Sequence, residues 1–404
     1  MAKSNETGVF QNEKGVWGYR FSLLIDGKRV TQRRFTDENG NKLMNKKSAI
    51  KAREAALAKA HIEVKQKQPI RRRTMNDVFT EYCECGRIGK AYQTIKKQDS
   101  LWNNHLYNQF GKKYVDEISV GEVTDYLSNL YFTEGYSFQY TESFLKMFYL
   151  IFGQAYSRNY LDVDTYNKLC VNKSTKIRMP KVKAEDDTPI IAFSRDDLTL
   201  LDDYFNGTNA ETAYLLGRYC GLRINECFGL KWSNVDIEAG TITIDRQMQY
   251  QDGLIKLVAP KTHNSKRTLY MCAALKEHFI KLAEKRQSDE INYPALREQN
   301  QRMIEDMDGQ KISSTELVNC LYDGKIQTVN SMKYHTREIK KRLNIDFKFH
   351  YLRHTYGTLM AEMNTPAHLL CNQMGHGNIH VTQRYYIAVS RTGIDVLKNN
   401  IDML

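Results

Sequence analysis

The hydrophobic period of this chain changes early, and the change sets what each part can fold into. From Val16 to Leu23 it is two residues: Trp17, Tyr19, Phe21 and Leu23 fall on one face, Gly18, Arg20 and Ser22 on the other. That is the pattern of a half-buried strand. Asp26-Gly27 is a two-residue hairpin signal, and Lys28 to Phe35 returns as a second strand bearing Arg29, Arg33 and Arg34. A short strand around Val9-Phe10 precedes them. Residues 46–66, rich in Ala, Lys and Glu, begin a helix, and from 74 to 170 the spacing is helical throughout. Thr74 can cap a helix whose Val78, Phe79 and Tyr82 share a face, and a second helix runs from Tyr92 to His105. Ser119 and Glu122 form a capping box, with Ile118 stapled onto Val123. A fourth helix, Phe138 to Arg158, has a broad apolar face of Phe144, Leu145, Phe148, Ile151 and Phe152.

Charge follows the same division. Residues 1–73 hold 18 Lys/Arg and 7 Asp/Glu, net +11, whereas the rest holds 41 and 40, net +1. A segment so basic attracts a polyanion and gains affinity by releasing its counterions. Gln66 to Arg73 reads as a basic linker and Asn172 to Thr188 as a second, apolar-poor one. Three domains follow: 1–66, then a linker at 67–73; 74–171, then a linker at 172–189; and 190–404. Ser194 and Asp197 open the last with a capping box, with Phe193 stapled onto Leu198. Strands are expected at Thr241 to Asp245, Leu254 to Val258 and Arg267 to Met271, then mostly helix from Ala273 with an irregular charged stretch at 286–312. The fold class is mainly α with small β parts (α+β).

No apolar run approaches the roughly 20 residues that span a bilayer, and MAKSNETGVF has no signal-peptide core. A cytoplasmic protein is expected. The eight cysteines are scattered, and Cys83 and Cys85 lack a second ligand pair nearby, so reduced thiols are expected rather than a metal site.

The chemistry gathers in three stretches: Arg223 in YCGLRINECFGLKW, His350 and Arg353 in FHYLRHTYGTL, and His376 and Tyr385 in MGHGNIHVTQRYY. Two arginines, two histidines and a tyrosine are the groups that break a DNA strand without metal or water. A guanidinium binds two phosphate oxygens and keeps its proton. Glu226, three residues after Arg223, would orient it. His350 and Arg353 stand i, i+3 on one helix face. His354 is i+4 from His350, but Tyr351 occupies the place where a zinc hydrolase helix needs glutamate. His354 therefore reads as structural. Gly375 lets the backbone turn before His376. Tyr385 and Tyr386 are neighbours about 100° apart on a helix, so only one can face a phosphate.

This set, in this order and spacing, resembles the tyrosine recombinase (phage integrase) family, strongly over the C-terminal half and more loosely before it. The N-terminal region is similar to the arm-site-binding domain of conjugative-transposon and lambda-type integrases, and 74–171 to the family's helical core-binding domain. The resemblance implies that Arg223, Lys261, His350, Arg353 and His376 are catalytic and that Tyr385 is the nucleophile, because Tyr385 follows His376 by nine residues, the family's spacing. Glu226 is the supporting acid. Lys261, in PKTHNSKRTLY, matches the hairpin lysine that protonates the leaving 5′ oxygen; Lys266 is the competitor, and Lys-Thr at the turn favours Lys261. DNA contacts are implied at Arg20, Arg29, Arg33 and Arg34 of the first domain and at Arg71, Arg72 and Arg73 of the linker.

The implied reaction is integration and excision of a mobile genetic element through a 3′-phosphotyrosine intermediate and a Holliday junction, needing no cofactor and no metal. The implied partners are double-stranded DNA at core and arm sites, three further protomers docked through the tail 389–404, and an excisionase, in a bacterial cytoplasm at the nucleoid. A type IB topoisomerase would share the chemistry, but the arm-like domain and the apolar tail argue against it. A non-catalytic DNA-binding regulator would not need the complete set.

Overall fold

The structure is a computed structural model that describes residues 8–25, 28–67, 72–181, 190–260, 265–386 and 401. The chain divides into two compact units, Met1–Asp186 and Asp187–Leu404. The first holds two separate hydrophobic cores.

The smaller core belongs to an antiparallel sheet of β1 (Val9–Gln11), β2 (Trp17–Ile25) and β3 (Lys28–Arg34), covered by α1 (Lys46–Lys67). Val9, Tyr19 and Phe21 point inward and meet Ala49, Ala52 and Ala56, whose small side chains let helix and sheet approach closely. The opposite face is cationic. Arg20 and Arg33 stand directly across from each other in the register, and Arg29 lies further along the same face. Phe10 and Phe35 meet edge to face at 5.5 Å on this side, and the Arg33 guanidinium lies 4.9 Å from the Phe10 ring centre. Like charges directly opposed across strands destabilise a sheet unless an anion neutralises them.

The larger core is helical: α2 (Met75–Glu81), α3 (Tyr92–Leu101), α4 (Val120–Ser128), α5 (Phe138–Ser157) and α6 (Val163–Tyr166). Thr74 and Asp77 close a full capping box on α2. On α4 only half of the expected box forms. The Ser119 hydroxyl accepts the Glu122 amide at 3.1 Å, but the Glu122 carboxylate turns to the Lys113 ammonium instead. A π-helical segment, Trp102–Gly111, prolongs α3 and seats Trp102, Leu106 and Phe110 in the core. Phe144, Phe148, Ile151 and Phe152 of α5 fill its centre.

The second unit begins with α7 (Arg195–Phe205), boxed by Ser194 and Asp197, followed by α8 (Glu211–Cys220) and α9 (Ile224–Phe228). The strands β4 (Val235–Asp236), β5 (Thr241–Ile244), β6 (Gln247–Gln251), β7 (Leu254–Val258) and β8 (Arg267–Tyr270) come next. They lead to α10 (Ala273–Asn292), α11 (Pro294–Asn300), β9 (Met303–Glu305), β10 (Lys311–Ser313), α12 (Ser331–Leu343), α13 (Phe349–Glu362) and α14 (Ala367–Met374). Two sheets form, ordered β4-β5-β8 and β10-β9-β7-β6. The stretch 286–312 is not irregular, as expected from its charges. It completes α10, forms α11 and pairs β9 with β10. Its charges are used inside the fold: Asp306 binds the Arg246 guanidinium and, at 3.3 Å, the Lys231 ammonium. Among the described residues no helix is long and apolar enough to cross a membrane.

Candidate active site

Two glycines turn the backbone where the site forms. Gly221 ends α8 at φ 61° and Gly375 ends α14 at φ 65°, a left-handed conformation that side chains disfavour. The turns present backbone carbonyls to two arginines. Arg353, on α13 and 1% exposed, donates to Gly221 O at 2.7 Å and to Met374 O at 2.5 Å. Arg223, at the start of α9, donates to Gly375 O at 3.2 Å and to Glu226 Oε1 at 2.8 Å. Residues 152 and 132 positions apart are thereby tied together.

His350 lies one turn before Arg353, exposed on one side, its ring 4.5 Å from that of His354. His376 follows Gly375; its Nδ1 is 2.8 Å from the Thr382 hydroxyl. Its ring lies nearly parallel to that of Tyr385, with centres 6.2 Å apart. Tyr385 is 4% exposed and packs under Gly357 of α13, where a Cβ would sit 3.0 Å from its ring. The two neighbouring tyrosines have different surroundings. Tyr386 turns aside and donates to the Thr365 carbonyl, while Tyr385 faces the histidines and arginines.

Burial sets the charges. It lowers His376 to about 3, helped by Arg353, Arg223 and Arg267. Burial, then His354, Arg353 and Arg223, also lower His350. Both imidazoles are neutral at pH 7. Burial and then Arg223 bring Arg353 down to about 9, which still leaves it charged. Burial raises the Tyr385 phenol, against the pull of Arg353, Arg384 and Arg223. Burial also pushes the Glu226 carboxyl upward, but Arg267 and Arg223 outweigh it and leave the group below its ordinary value.

Sequence reasoning missed Arg267. Its Nη2 and Nη1 hold Glu226 Oε2 and Oε1 at 3.0 and 3.2 Å, and its Nε donates to Gln373 O at 2.8 Å. The available signal was parity: Arg267 shares the inward face of β8 with buried Leu269, and an inward arginine needs a carboxylate. Also missed was the outer face of α12, where Lys333, Arg337, Lys340 and Lys341 are exposed while Met332, His335 and Ile339 are buried.

Other expected residues fall differently. Lys261 and Arg71 lie outside the described residues, as does the tail 389–404 except residue 401. Lys266 is described and exposed. Arg20, Arg29, Arg33 and Arg34 are all exposed on the first sheet. Arg73 is exposed, its guanidinium 5.6 Å from the Tyr160 ring centre. Arg72 is already engaged, bound to Asp116 at 3.0 Å and to Glu117 at 2.5 Å, so a phosphate would have to compete with two carboxylates. Among the described residues no group of three or more His, Cys, Asp or Glu is placed to hold a metal ion.

Fixed guanidinium donors, neutral imidazoles and a phenol around one point suit stabilisation of charge developing on a phosphate. Residues 198–391 match the family model described as the phage integrase family. The chain is 27% identical over 387 residues to a XerC-like tyrosine recombinase of Caldanaerobacter subterraneus subsp. tengcongensis, covering 89% of this chain and 92% of the relative. It is 21% identical over 316 residues to the ICEBs1 integrase of Bacillus subtilis, covering 78% and 77%. Among solved structures, the Tn1549 transposon integrase in complex with transposon right-end DNA superposes with a TM-score of 0.62 at 17% identity, covering 81% of this chain and 100% of that one. A lambda integrase dimer bound to a COC′ core site gives 0.52 at 14% identity, covering 94% of each.

Proposed function

We propose that this chain is a site-specific DNA recombinase that integrates and excises a mobile genetic element, a reading supported by the match of residues 198–391 to the phage integrase family model. The Tyr385 oxygen attacks the scissile phosphorus and the bond to the 5′ oxygen breaks, leaving a 3′-phosphotyrosine and a 5′ hydroxyl. The reverse attack by a 5′ hydroxyl from the other duplex reseals the strand, so the energy of the broken bond is kept. Arg223 and Arg353 neutralise the charge that develops on the nonbridging oxygens. Neutral His350, with one open edge, takes the phenolic proton. Lys261 gives a proton to the leaving oxygen. One observation carries the assignment: Arg223 and Arg353 are fixed by the two turns that also hold His376 beside Tyr385.

The cationic face of the first sheet and the basic face of α12 are the proposed DNA contacts, the former for a separate arm site. The names of the ICEBs1 and Tn1549 integrases support a mobile-element role. We assign the tail 389–404 to docking on a neighbouring protomer in a tetramer on DNA, and the protein to a bacterial cytoplasm.

The test is a covalent adduct. Cleavage is mapped on the DNA flanking the gene for this chain, and the mapped site is built into a nicked suicide duplex. Wild type and Tyr386→Phe should give a protein–DNA adduct that survives denaturation. Tyr385→Phe should bind the duplex and give none. An adduct from Tyr385→Phe, or none from wild type, sinks the assignment.

A further inference from the structure

We propose that Thr382 is a positioning residue. Its hydroxyl donates to Nδ1 of His376, which leaves the ring proton on Nε2 and makes His376 an uncharged hydrogen-bond donor to the phosphate. The role in the reaction rests on the strand transfer proposed above; the tautomer does not.

The two atoms lie 2.8 Å apart and both residues are buried, Thr382 completely. The distance alone allows either direction of donation, so the hydroxyl proton decides. Four threonines on described helices give theirs to the carbonyl four residues back, Thr124 to Val120, Thr199 to Arg195, Thr336 to Met332 and Thr355 to Tyr351, while the buried hydroxyls of Thr141 and Thr358 have no partner among the described residues. Thr382 also sits in a helical stretch, 379–386, yet among the described residues its hydroxyl makes no bond to Asn378. Among the described residues its one partner is His376. If Nδ1 carried the ring proton and donated, the threonine proton would have no acceptor among the described residues. The hydrogen bond at one ring nitrogen fixes the state of the other. The surroundings agree: burial and three arginines keep this imidazole neutral.

The position adds a second consequence. Thr382 precedes Tyr385 by three residues, so both lie on one side of the same helical stretch. The segment that carries the nucleophile thus also sets the orientation of His376, and any displacement of it takes both groups together.

Thr382→Val keeps the branched shape and removes the hydroxyl; Thr382→Ser keeps the hydroxyl. In single-turnover cleavage of the suicide duplex, the valine variant should be slower by about tenfold or more with unchanged duplex affinity, and the serine variant should recover to within about threefold. A valine variant as fast as wild type, or a serine variant as slow as the valine one, overturns the proposal. Histidine-selective ¹⁵N NMR of the full chain, with His376→Gln to assign the signal, gives a readout that needs no folded variant at Thr382. The proton should be on Nε2; a proton on Nδ1 overturns the proposal. A wild-type chain that forms no adduct refutes the recombinase assignment instead and leaves the NMR result standing.

Discussion

Arg267 shows how a residue outside the proposed phosphate contacts can hold in place one within them. It braces Glu226 at both oxygens, and Glu226 in turn holds Arg223. It also pins Gln373, two residues before the Gly375 turn. Arg267→Met would leave a buried carboxylate with one partner, a loss of about 3 kcal/mol. Urea unfolding should show that loss in the second unit, and cleavage should fall about tenfold or more as Arg223 loosens. A variant with wild-type stability and rate would remove Arg267 from this chain of contacts. That Arg223, Arg353, His376 and Tyr385 would gather was legible in the sequence because their order and spacing resemble those of a known family, and the fold does bring them together. Arg267 and Thr382 were not, because their roles lie in what they touch. Arg267 reaches a carboxylate 41 residues away, a pairing no local pattern records.

Elements were legible where their own ends specify them. The cap at Thr74, the box at Ser194 and the apolar stripe of α5 are local signals, and each formed its helix. Failures came where a distant partner changed the outcome. Glu122 left its cap for Lys113, and the charges of 286–312 concealed a hairpin anchored by Asp306. The π-helical segment after α3, which seats Trp102 and Phe110 in the core, was read from the sequence as ordinary helix. α5 should be the keystone of its unit. Phe148 is fully buried, with ring centres 5.0 Å from Phe110 and 6.2 Å from Phe152. Phe148→Ala should cost about 3–5 kcal/mol, read as an earlier urea transition of the first unit with the transition of the second unmoved. A change below about 1 kcal/mol would mean that the core collapses around the gap.

At the scale of the whole molecule, net charge and chemistry occupy different lengths of chain. Residues 1–73 carry +11 of the +12 and contain none of the proposed catalytic groups. Deleting them should leave cleavage of a short core duplex intact, abolish footprints at separate arm sites, and flatten the salt dependence of DNA affinity. Loss of core cleavage with the distal footprints kept would reverse the assignment of the two ends. The order of the chemistry along the chain has a further consequence. Arg353 closes the site by joining Gly221 to Met374, and Tyr385 comes later still. A ribosome therefore delivers both proposed DNA-holding surfaces before it delivers the proposed nucleophile. Copies that stop before Tyr385 would keep both proposed DNA-holding surfaces without the proposed nucleophile, so they would compete with the intact protein for its sites instead of nicking them.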